Sequence, residues 1–403
     1  MAQAGLQRQV LSEIDETRGD VLRMSQFVHA HPEIALQEVE SAEAVADTLE
    51  RHGFTVERGV AGLPTAFKAT KGTGGPVIAF LAEYDALPEL GHGCGHNLIA
   101  GSNVAAGIGL AAALEHVPGT VVVFGTPAEE AYGGKVVMAD AGAFDGVDVV
   151  LSSHPAAMAA RVALEPGSGS CLAVQEVVIA FHGKTAHAAS DPQNGVNALN
   201  AVIHTFTGID ALRQHVTPDV RIHGIITHGG VAPNVVPEYA RARFYVRAET
   251  QQGVRDLMEK VRHVAEGAAL ITGARLEFTE PHGIHAEVVP VYSLNARLQE
   301  HYEAMGQQTT PAPKGVGPYS TDLGNVSYVV PTVAVSFPIT GGMIPWHSAQ
   351  VVEAADSELG YASMFKAAKA IALVGLDALT DPAFVQAAKA EHAAAVAARG
   401  GSN

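Results

Sequence analysis

Cysteine is scarce in this chain: of 403 residues, only Cys94 and Cys171 carry a thiol. Two thiols exclude a disulfide scaffold, and with 47% apolar residues the chain can build its core without one. Basic residues are also few, 25 Lys and Arg against 42 Asp and Glu, for a formal charge of −17. That balance excludes binding of nucleic acid or anionic membranes through bulk charge, so neither is an expected partner. No run of about 18 apolar residues occurs, so no membrane span is expected. Met1-Ala2-Gln3-Ala4-Gly5-Leu6-Gln7-Arg8 leads into no apolar segment of the secretory kind, and a cytoplasmic location is the expectation. No internal repeat is found.

The length itself favours two domains, since single cores stop growing at roughly 250–300 residues. Leu11, Ile14, Val21, Leu22 and Phe27 give residues 6–30 the spacing of an amphipathic helix, and a second helix fits 38–52. Apolar runs at 77–81, 120–124 and 147–151 read as buried parallel strands. A helix over 98–116, rich in Ala and Gly, has side chains small enough to pack closely on a sheet. This alternation predicts an open α/β sheet, where ligands gather at the carboxyl ends of strands. Glu83 and Asp85 follow the first run, Glu129 and Glu130 the second, and His154 the third.

Near residue 174 the rhythm changes. Strands fit 174–182, 220–227, 240–247 and 275–279, with helices over 195–214 and 253–270, the pattern of a compact α+β unit. After Pro290 the first rhythm resumes, with a buried strand at 333–337 and a glycine-rich loop leading to His347. The expected architecture is therefore a two-domain α/β chain. One α/β/α domain spans 1–174 and 290–403, and an α+β domain is inserted at 175–289. Residues 376–403 read as a surface helix ending in a frayed Gly400-Gly401-Ser402-Asn403 tail.

The chain has 19 histidines, which raises the expectation of metal or proton chemistry. Gly91-His92-Gly93-Cys94-Gly95-His96-Asn97 packs a thiol and two imidazoles between glycines that let the backbone turn sharply. Thiolate and imidazole together form a ligand set for transition metals. Glu129-Glu130 places two carboxylates side by side at a strand end, where they repel unless something cationic is present. Each motif alone has a structural alternative: a buried Cys, a packed His, or an acidic pair at a helix start. Cys94, His96, Glu129-Glu130, His154 and His347 at one sheet edge would supply ligands for two metal ions sharing the thiolate. One glutamate would remain to move the proton of an activated water.

Five motifs occur together: His31-Pro32-Glu33, Asp85-Ala86-Leu87-Pro88, His92-Gly93-Cys94-Gly95-His96-Asn97, Pro127-Ala128-Glu129-Glu130 and His347-Ser348. In their order and spacing the chain resembles the clan MH metallopeptidases of peptidase family M20, which include aminoacylases, carnosinases and auxin-conjugate hydrolases. Its Cys-Gly-His form resembles the amidohydrolase branch. The resemblance implies a metal-dependent amidohydrolase that cleaves a small-molecule amide. Two divalent ions, Mn2+ or Zn2+, would be bridged by Cys94 and completed by His96, Glu130, His154 and His347, with Glu129 as general base and acid. The inserted domain resembles the family's ferredoxin-like lid and dimerisation domain, which implies a homodimer. There His187, in His182-Gly183-Lys184-Thr185-Ala186-His187, matches a residue that reaches an oxyanion across the dimer. Asn234 and Arg247 match positions around the oxyanion and the substrate carboxylate. Glu83 departs from the pattern, standing where many members carry a histidine ligand. With Asn97 and the Asp322 segment, it resembles most the subgroup of aminobenzoyl-glutamate hydrolase and a β-alanyl dipeptidase.

Three functional readings are open on these residues. The first is hydrolysis of an N-acyl amino acid, dipeptide or aminoacyl conjugate. The second is deamination of an aromatic amine by the same activated water. The third is a metal-binding paralogue without turnover.

Overall fold

The computed structural model describes residues 3–400. In chain order the strands are β1 (Thr55–Arg58), β2 (Phe67–Thr73), β3 (Val77–Ala82), β4 (Gly119–Gly125), β5 (Val149–Ala156), β6 (Ala160–Val162), β7 (Ala173–His182), β8 (Arg221–His228), β9 (Tyr239–Ala248), β10 (Arg275–Thr279), β11 (Thr309–Pro311) and β12 (Thr332–Pro338). The α-helices are α1 (Gln3–Glu16), α2 (Arg18–Ala30), α3 (Val39–Arg51), α4 (His96–Ala112), α5 (Gly134–Asp140), α6 (Ala198–Leu212), α7 (Gln251–Thr272), α8 (Tyr292–Ala304), α9 (Leu323–Val329), α10 (Ala349–Ala355), α11 (Glu358–Thr380) and α12 (Pro382–Ala398). They divide into two compact units. The first holds Met1–Ser170, Val288–Gly317 and Asp322–Asn403, and the second holds Cys171–Glu287 and Pro318–Thr321.

The sheet of the first unit has the order β1-β2-β4-β3-β5-β12. β4, β3, β5 and β12 pair in parallel, as continuous apolar runs do when helices cover a sheet. The α/β expectation holds, with one addition: β1 and β2 form an antiparallel arm on β4. Their sequences, TVER and FKATKGT, are largely solvated and carry no buried run to announce them. α4 is buried around its whole circumference, so it needs small residues rather than an apolar stripe. At Gly107 a Cβ would stand 2.4 Å from Val123 Cγ2 of β4. That absence of a side chain is what lets the helix lie so close to the sheet.

Two helices, His96–Glu115 and Glu358–Thr380, are long and apolar enough to cross a membrane by length and composition. Their apolar windows are 89% and 72% buried inside the protein, which makes them core helices. Residues 376–380 therefore belong to core helix α11 and not to a surface helix. Asp381 ends that helix, and its carboxylate caps α12 by accepting from the N–H groups of Ala383 and Phe384. The expected tail at 401–403 lies outside the described residues. The expected single helix over 6–30 is divided at Thr17, whose hydroxyl donates to the Glu13 carbonyl at 2.8 Å.

In the second unit, an antiparallel sheet of order β10-β7-β9-β8 packs against α6 and α7. This is a ferredoxin-like βαββαβ arrangement. The inward residues of β9 (Ala240, Ala242, Phe244, Val246, Ala248) alternate with outward polar ones, as a half-buried strand requires. The edge strand β8 leaves Ile225 and Ile226 exposed. Pro318–Thr321 joins this unit through the Leu172 N–H, which donates to the Tyr319 carbonyl.

Candidate active site

The candidate site is assembled at the carboxyl ends of the parallel strands of the first unit. Gly95 precedes α4 with φ +75°, and a Cβ there would meet Pro155 Cγ at 2.8 Å. Only glycine suits this position, and it brings Cys94 and His96 against the end of β5. Cys94 Sγ lies 3.5 Å from His154 Nε2. His154 Nδ1 donates to the Pro155 carbonyl at 2.7 Å, so its proton is on Nδ1 and the Nε2 lone pair faces the thiol. Burial holds His154 below the usual histidine range, hence neutral. Burial also pushes the Cys94 thiol up to about 12. Trp346 Nε1 donates to Cys94 Sγ at 3.3 Å.

His96 Nδ1 contacts Asp85 Oδ1 at 2.9 Å, and the Glu130 N–H donates to Asp85 Oδ2 at 3.0 Å. One carboxylate thus aims two candidate ligands. Burial opposes charge on His96, but Asp85 and Cys94 outweigh it and raise it well above the usual histidine range. A dication at Nε2 would take the place of that proton. Glu130 Oε1 lies 3.7 Å from His96 Nε2 and 3.5 Å from His347 Nε2. His347 is half-exposed in its loop.

Donor atoms of Cys94, His96 and His154 lie within 4.8 Å of one another, as do those of Cys94, Glu130 and His347, and those of His96, Glu129 and Glu130. His96 Nε2, Glu130 Oε1 and Glu83 Oε2 are buried without a hydrogen-bond partner. Buried polar atoms are seldom left unpaired. Ligands about 2.0–2.3 Å from a tetrahedral ion stand roughly 3.3–3.8 Å apart. The separations of 3.5 and 3.7 Å match that spacing, so these residues fit a divalent metal centre.

Three further residues of the site were not read from the sequence as such. Lys135 is fully buried; its ammonium meets Asp322 Oδ1 at 2.6 Å and Glu83 Oε1 at 2.9 Å. Burial opposes its charge, but Asp322, Glu83 and Glu129 hold it well above the usual lysine range. The repulsion between Glu129 and Glu130 was the available signal that a cation belongs nearby. Asp322, which sequence left without a role, accepts from both the Lys135 N–H and its ammonium. Glu38 is buried and accepts from the Ala128 N–H at 2.9 Å, which supports a left-handed backbone (φ +62°) just before Glu129. Burial, then Asp85, raises Glu38 to about 7. Burial comes first at Glu129 too, and with Glu130, Asp322 and Glu83 it pushes that carboxyl well above its usual range.

His187, Asn234 and Arg247 belong to the second unit. The N–H groups of Ala189 and Ser190 donate to His187 Nδ1 at 3.2 Å each, so the ring proton is on Nε2, which is left as a donor. The segment is pinned to Asn234, whose carbonyl accepts from the Ala188 N–H. Arg247 Nη1 donates to Ser320 Oγ at 2.6 Å. His29, His31 and His92 contact the backbone carbonyls of Val352, Phe27 and Val28. Cys94 and Cys171 form no disulfide.

Residues 174–272 match the model of a peptidase dimerisation domain. The chain is 36% identical to the Xaa-Arg dipeptidase of Mus musculus, over 96% of this chain and 92% of that protein. It is 32% identical to one of the two kinds of chain of the p-aminobenzoyl-glutamate hydrolase, that of Escherichia coli, over 90% and 89% of the two sequences. Its fold is similar to the crystal structure of an aminobenzoyl-glutamate utilization protein from Klebsiella pneumoniae, with TM-score 0.72, 22% identity and coverage of 92% and 98%. It is also similar to a dinuclear metal-binding peptidase from Bacillus subtilis, with TM-score 0.63, 23% identity and coverage of 90% and 99%.

Proposed function

The chain belongs to peptidase family M20 and is a metal-dependent hydrolase, and on that premise we propose that it splits an amide to release a free amino acid. The substrate is an N-acyl amino acid, a dipeptide or an aminoacyl conjugate. Two relatives aligned over nearly the whole chain support this, being named for a dipeptide and for aminobenzoyl-glutamate. The observation that carries the reading is the convergence of Cys94, His96, Glu130, His154 and His347 beside a Glu129 carboxyl of raised pKa.

Cys94, His96, Glu130, His154 and His347 hold two divalent ions, Mn2+ or Zn2+, with Cys94 common to both groups of ligands. Such ions supply Lewis acidity, acidifying water and polarising the scissile carbonyl. Glu129 accepts the proton of the attacking water on its carboxylate and delivers it to the leaving nitrogen. A raised pKa suits both halves of that task. The His187 Nε2–H is a neutral donor of the kind that stabilises an oxyanion, and it acts in the site of the partner in a homodimer built through the second unit. Arg247 pairs with the carboxylate of the amino acid through its planar fork.

The experiment is hydrolysis of a panel by metal-reconstituted protein, read by mass spectrometry. The panel holds acyl-amino acids, β-alanyl and ordinary dipeptides, aminobenzoyl-glutamate, and aromatic amines lacking an amide. Chelator-sensitive release of an amino acid is expected. Turnover of the amines alone would replace the reading with deamination.

A further inference from the structure

The ligand set of the proposed centre leaves one buried carboxylate unexplained. Glu83 follows β3 and is 5% exposed. Its two oxygens are used differently. Oε1 is held by the Lys135 ammonium at 2.9 Å, and Lys135 is fixed in turn by two bonds to Asp322. Oε2 has no partner and lies 3.6 Å from His96 Nε2, which has none either. That distance is too long for a hydrogen bond and equals the spacing of two donors on one ion. A carboxylate serving only as counter-ion to Lys135 would turn both oxygens to cations or N–H groups, because an unpaired buried oxygen is costly.

Charge leads to the same point. Glu83, Asp85, Glu129, Glu130 and Asp322 crowd one interior region with Cys94, and Lys135 is the lysine paired among them. Two dications would bring this excess of negative charge close to balance. Uncompensated, it would be too costly to bury.

We propose that Glu83 is a further metal ligand, binding through Oε2 beside His96 Nε2, and that Lys135 is a positioning residue that aims this oxygen. The inference rests on the metal reading above but not on the substrate assigned there.

The test measures ion content and affinity of the full-length protein, by elemental analysis and by Mn2+ titration, for wild type, Glu83→Gln and Lys135→Gln. Wild type binds two ions. Glu83→Gln loses one ion or binds it at least about tenfold more weakly, and Lys135→Gln weakens the same site by a smaller factor. A crystal structure of Mn2+-loaded wild type, which needs no variant to fold, places Glu83 Oε2 within about 2.2 Å of an ion. Two ions bound by Glu83→Gln with unchanged affinity, or Glu83 outside ligation distance in the loaded crystal, overturns the proposal. Glu83-dependent ion binding in a protein that hydrolyses no amide sinks the substrate reading alone.

Discussion

At Glu129 the low-dielectric surroundings and the charges of Glu130, Asp322 and Glu83 all favour the protonated form, while Lys135 opposes them. Replacing Glu129 by Gln removes the proton acceptor and keeps the shape. The variant is expected to keep its metal content and to lose roughly 10²–10⁴-fold in kcat. Metal loss in the variant would make Glu129 a ligand instead. Glu176, in the second unit, shows the opposite shift. Burial opposes its charge, yet His282 and Arg243 hold its carboxyl at about 2 against an ordinary 4.5. A depressed carboxyl adds stability above pH 4.5 and loses it as pH falls toward 2. Arg243 is partly open to solvent, so the effect is screened to about 1–2 kcal/mol. Denaturant unfolding should show Glu176→Gln less stable than wild type at pH 7, with the gap closing between pH 4.5 and pH 2. A gap unchanged at pH 2 would mean packing, not charge, is responsible.

The turn between β4 and α5 sets the positions of Glu129, Glu130 and Lys135 together. Gly134 starts α5, and a Cβ there would stand 2.0 Å from the Pro127 carbonyl oxygen. Backbone cannot yield as a side-chain tip does. Gly134→Ala is expected to cost about 1–3 kcal/mol of stability and to reduce kcat by misplacing Glu129. Gly341→Ala, with no atom within 4 Å of the added methyl, is the control and should match wild type in thermal unfolding. If both variants behave alike, the turn is more compliant than its contacts imply. Element by element, the buried strands β3, β4 and β5 were legible because continuous apolar runs mark them. β1 and β2 were not, because a solvated antiparallel arm has no such run. α11 was misjudged in part because alanine reads equally as core or surface until its neighbours are known.

For the whole molecule, the dimerisation domain implies a further test. If His187 acts in the partner's site, mixing inactive His187→Ala with inactive Glu129→Gln creates hybrid dimers with one intact site. Activity should then return after the protomers exchange. If they exchange and none returns, His187 acts within its own chain or not at all.

Sequence alone determined the donor types and their spacing along the chain, because Cys94-Gly95-His96 and Glu129-Glu130 are local, with chemistry that depends on residue identity. It also determined the alternation of strand and helix, since apolar period is a property of neighbours. Tertiary structure decided the rest. Lys135 meets Glu83 and Asp322 across 52 and 187 positions of sequence, and no local pattern encodes that meeting. The tautomers of His154 and His96 depend on the Pro155 carbonyl and on Asp85, and so on the fold's placement of each acceptor. Ionisation in a buried cluster depends on distance and dielectric, and both exist only once the chain has closed around it.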